Sequence, residues 1–77
     1  MNTQDQFTQL LYLFYSSAMV SMGKLKNPAT DKIERNLEQA KQSIDMLEML
    51  KVKTKGNLSD GESRMLDGFL TDLRLNF

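Results

Sequence analysis

Three features of the sequence predict an all-α fold with helices at about residues 4–22, 31–55 and 60–75. Apolar side chains recur at spacings of three and four in each stretch, which is the period of one helix face. Glycines and cap-forming polar residues fall where those stripes begin and end. No β-hairpin signal, internal repeat or low-complexity tract interrupts them.

In helix 1, Thr3 and Gln6 have the spacing of a capping box, and Asp5 places a negative charge in the first turn. Phe7, Leu10, Leu11, Phe14, Ala18 and Met22 form the main stripe. Tyr12 with Met19, and Leu13 with Val20, add two apolar ridges flanking the opposite side, leaving a polar strip around Gln9 and Ser16. A helix apolar on most of its circumference is normally covered on more than one side. Gly23 is the expected stop. Pro28 then forces Asn27 out of helical geometry in the connector GKLKNPAT.

Thr30 or Asp31 is expected to cap helix 2, with Glu34 three residues after Asp31. Ile33, Leu37, Ala40, Ile44 and Leu47 make a narrow stripe. Further on, Met46, Met49, Leu50 and Val52 spread round the helix, so that half is expected to meet more than one neighbour. Lys51, Lys53 and Lys55 gather where positive charge suits the helix dipole, and Gly56 is the helix stop. The short link to Ser59 predicts an antiparallel hairpin of helices 2 and 3, with helix 1 packed on it. Ser59 and Glu62 form a second capping box, with Asp60 in the first turn. Met65, Leu66, Phe69, Leu70, Leu73 and Phe77 share one face of helix 3, while Gly68 falls on the outer one.

At 77 residues the chain is a single domain, residues 1–77. A domain of this size buries only ~60% of the surface of its unfolded chain, so it needs well-packed helices or self-association. Cysteine and histidine are both missing, which removes disulfides, the usual zinc and haem ligands, and histidine-based triads. No cofactor or metal is expected. Ten basic and ten acidic side chains cancel, so no net field steers the chain to nucleic acid. The apolar run Phe7–Met22 is shorter than the ~20 residues a membrane span needs and contains Thr8, Gln9, Ser16, Ser17 and Ser21. A soluble, cytoplasmic protein without a membrane span is the expectation.

No constellation in the sequence points to catalysis. Glu34, Glu38, Asp45 and Glu48 do not share one helix face, so they read as a solvated surface. Lys51, Lys53 and Lys55 fan round the helix without interleaved aromatics, unlike a nucleic-acid groove. Lys55-Gly56 lacks the glycine loop of a Walker motif, and no nucleophile–base pair is visible. The chain reads as a non-enzyme.

The segments Ile44-Asp45-Met46-Leu47-Glu48-Met49-Leu50 and Lys53-Thr54-Lys55-Gly56-Asn57-Leu58 resemble the signature of a family of small bacterial proteins of unknown function. Gly23, Asn27-Pro28 and Leu73-Arg74 match the helix end, loop and downstream helix that accompany it. The family's pattern is departed from in the basic loop Lys24-Leu25-Lys26 and in the expected absence of a charged leader. The resemblance implies an all-helical bacterial domain and brings no activity.

The reading that follows is a non-enzymatic, self-associating helical module that binds a protein partner. A homodimer is favoured, with Tyr12, Leu13, Met19, Val20, Met46 and Met49 as the oligomer interface. These side chains lie off the main stripes, and soluble monomers rarely expose large apolar patches. The alternative is a carrier or sensor of an apolar small molecule held between helices, lined by the aromatic and methionine side chains of helix 1.

Overall fold

Three helices are found in the computed structural model, which describes residues 2–77: α1 (Thr3–Ser21), α2 (Leu37–Lys53) and α3 (Asp60–Asn76). No strand forms among those residues. α1 is capped by Asn2, whose side chain accepts the N–H of Asp5 at 2.8 Å, so the cap lies one residue ahead of the expected Thr3. At its other end Gly23 takes φ +78°. The Lys24 N–H reaches Met19 O and the Gly23 N–H reaches Val20 O, the paired bonds of a Schellman stop.

The start of helix 2 differs from the sequence expectation by a turn and a half. Residues 31–36 are not helical, and α2 begins at Leu37 behind an Asn36 cap that accepts the Gln39 N–H. Asp31 sits at φ 55°, a left-handed value that a helix cannot pass through. The connector instead doubles back on itself, pairing Met22 with Arg35 and Asn27 with Lys32. Ile33, expected on the core stripe, is therefore an exposed connector residue. α2 ends at Lys53, where the Thr54 hydroxyl turns back to Leu50 O, and Gly56 follows at φ +86°. α3 opens with the reciprocal Ser59–Glu62 capping box.

Each helix region sends three side chains to one buried cluster: Leu11, Ala18 and Met22; Ala40, Ile44 and Leu47; Leu66, Leu70 and Leu73. The fully buried Ala18 and Ala40 leave room for α1 and α2 to approach closely, and this is the tightest pair in the fold. α3 packs less extensively on both. It runs antiparallel to α2, tied across the surface by Lys51–Asp67 at 2.8 Å and Glu48–Arg74. Those pairs are half-exposed and add little stability individually. Leucine packing is what holds the fold.

Candidate interaction surface

α3 covers one side of the α1–α2 pair. Tyr12 and Tyr15 of α1 both meet Phe69 of α3, Tyr12 edge-on at 5.1 Å between centroids and Tyr15 stacked at 4.4 Å. The Tyr15 hydroxyl also donates to the Asp72 carboxylate, which accepts the Asn76 side-chain amide as well. That hydrogen bond, then burial, then the charges of Asp72 and Tyr12 push the Tyr15 hydroxyl above its ordinary pKa.

A groove of about 610 Å³ runs between α1 and α2. α1 supplies Leu13, Phe14, Ser16, Ser17, Val20 and Ser21. α2 supplies Gln39, Gln42, Ser43 and Met46, and Asn27 with Pro28 close one end. None of these twelve side chains is charged, in a chain where 26% of residues are. Leu13 is 61% exposed and Met46 46% exposed, so the groove presents apolar surface to solvent.

The six side chains assigned to an interface from sequence separate in the fold. Leu13, Val20 and Met46 come together in the groove. Tyr12 turns towards Phe69, Met19 packs against the buried cluster, and Met49 is exposed outside the groove lining. Phe14, Ser17, Gln39, Gln42 and Ser43 also line the groove and are not among the six side chains assigned to an interface from sequence. Their legible signal is an uncharged helical stripe on each partner helix: Leu13, Ser17 and Val20 on α1, and Gln39, Gln42 and Met46 on α2.

The carboxylates of α2 are spent on its surface. Asp45 pairs with Lys41 at 3.1 Å, and Glu48 pairs with Arg74. Among the described residues no group of three or more acidic, histidine or cysteine side chains could hold a metal ion. No described helix is long and apolar enough to cross a membrane. A second, smaller pocket of about 380 Å³ lies where α2 turns into α3, and its mouth residues Lys51 and Asp67 neutralise each other.

A family model described as "Domain of unknown function (DUF1844)" matches residues 4–77. No curated protein and no solved structure matches the chain.

Proposed function

We propose a self-associating, non-enzymatic binding module as the function of this chain, which belongs to the DUF1844 family, a domain of unknown function. The uncharged α1–α2 groove carries the reading. When a face pairs with its own copy about a two-fold axis, every charge near the axis meets its like. Hydroxyl and carboxamide groups escape that penalty, because each can both donate and accept a hydrogen bond. A face built from leucine, valine, methionine, serine and glutamine is self-complementary in that sense.

The dimensions of the chain support the same reading. Its radius of gyration is 12.8 Å, against about 11.5 Å for a compact domain of this length. It exposes 5434 Å², against about 4,800 Å² for a monomer of 8.9 kDa. The excess approaches the ~800 Å² that each partner contributes to a stable interface.

On this reading the homodimer acts by binding another protein, and its setting is the bacterial cytoplasm. The resemblance of the signature segments and the cysteine-free composition support that setting. The test is light scattering at micromolar concentration on the parent, Leu13→Glu and Val20→Glu. The parent is expected near twice the 8.9 kDa chain mass and both variants at half that value. A folded parent of single-chain mass overturns the reading. Should both variants retain the parent's mass, the groove is not the seam. A gentle pull-down from the native cell that recovers only the chain itself counts against a heterologous partner.

The groove volume falls within the ~300–1,000 Å³ of small-molecule sites, which favours a second reading as a carrier of an apolar ligand. Native mass spectrometry after mild purification separates the two: a carrier shows an added non-protein mass.

A further inference from the structure

The connector between α1 and α2 is a pinned finger with two arms. Met22 pairs with Arg35 at its base and Asn27 with Lys32 near its tip, and the Asn36 N–H donates to Ser21 O at 2.7 Å. Asn27 organises the tip. Its carbonyl accepts the N–H groups of Thr30 and Asp31, and its side chain accepts that of Ala29 at 2.9 Å. Between the two pairings Leu25 lies on one arm and Ile33 on the other, and the Ile33 side chain lies beside Gly23. Leu25 is 47% exposed and Ile33 64% exposed.

Lys24 and Lys26 flank Leu25 in sequence and Lys32 precedes Ile33, all three exposed, with Arg35 at the base. The finger's carboxylates are Asp31 at the turn and Glu34, which accepts the Thr30 hydroxyl at 2.7 Å. Four cations against two carboxylates leave the finger with two net positive charges in a chain that is neutral overall. The same finger thus carries both net positive charge and exposed aliphatic carbon.

We propose that this finger docks the protein on an anionic lipid bilayer, with Leu25 and Ile33 entering the headgroup boundary and the lysines facing lipid phosphate. Lysine stems suit that boundary, since they lie along apolar surface while the ammonium stays with the anions. A nucleic acid would attract the same lysines. It offers no apolar medium to Leu25 and Ile33, and the finger has no aromatic residue to stack on a base. The proposal is independent of whether two copies pair through the α1–α2 groove.

Flotation of the full chain with phosphatidylcholine vesicles, alone or mixed with phosphatidylglycerol, tests it. The parent is expected to float with the mixed vesicles and to stay behind with phosphatidylcholine alone. The pair Lys24→Glu and Lys26→Glu, and separately the pair Leu25→Ser and Ile33→Ser, are each expected to cut the bound fraction about tenfold. Lys53→Glu, at the opposite end of α2 from the finger, is the control and keeps the parent's binding. Circular dichroism checks that every variant retains the parent's helix content. Failure of the parent to float with mixed vesicles overturns the proposal, and so does equal flotation with both compositions. Full binding by the Leu25→Ser, Ile33→Ser variant also overturns it, leaving a charge attraction that any polyanion, including an acidic protein, would satisfy. Equal loss in Lys53→Glu removes the finger as the site.

Discussion

At the scale of single residues, two glycines are expected to answer alanine in opposite directions. Neither Gly56 nor Gly68 has any atom within 4 Å of where a Cβ would stand, so space does not separate them. Backbone conformation does. Gly56 sits at φ +86°, where a Cβ crowds its own carbonyl, and Gly56→Ala is expected to destabilise by about 1 kcal/mol. Gly68 lies inside α3, where alanine is the better helix former, and Gly68→Ala is expected to stabilise by about 0.5–1 kcal/mol. Chemical denaturation of the two variants beside the parent reads both signs. The left-handed glycines were legible because apolar stripes break off just before them. Asp31 was not legible: its left-handed φ is held by an N–H bond to the Asn27 carbonyl that no local pattern announces.

Among the elements, α3 is the one whose attachment can be tuned by a single atom. Tyr15→Phe keeps the ring against Phe69 but removes the hydroxyl that donates to Asp72, and it is expected to destabilise by about 1 kcal/mol. The effect carries a pH signature. The folded hydroxyl titrates above its unfolded value of 10.0, so its contribution is complete below that pH and is lost as pH rises through the folded pKa. The stability gap between parent and Tyr15→Phe is therefore expected to close in alkali, as unfolding curves across that range would show. At the start of the same helix, Ser59→Ala removes the hydroxyl that accepts the Glu62 N–H, while the bond from the residue-59 N–H to the Glu62 carboxylate remains possible. A loss of about 1 kcal/mol in thermal or chemical unfolding is expected there.

For the whole molecule, a dimer makes stability depend on concentration. If two copies bury the α1–α2 face, mass action raises Tm with chain concentration, and Leu13→Glu abolishes that dependence. Thermal melts over a hundredfold dilution series check this, and a parent Tm that stays constant overturns the pairing. The six interface side chains selected from sequence show how far pattern alone reaches at this scale. Leu13, Val20 and Met46 meet in one groove, whereas Tyr12 sits against Phe69 and Met19 against the buried cluster. A helical wheel identifies which faces are apolar. It does not say which neighbour each one meets.

By itself the sequence determined the number of helices, the Ser59–Glu62 box, the antiparallel turn between α2 and α3, and all nine buried side chains. All of these follow from interactions within a few residues: helical period, cap chemistry and short loop closure. The tertiary structure alone decided that residues 31–36 leave the helix to build a finger, because the Met22–Arg35 and Asn36–Ser21 contacts lie thirteen or more residues apart. It also decided that α3 takes the Tyr12–Tyr15 side of α1 and leaves the uncharged side open. Local patterning marks both sides of α1 as fit for burial. Only packing three helices of finite width around one core selects which of them is covered.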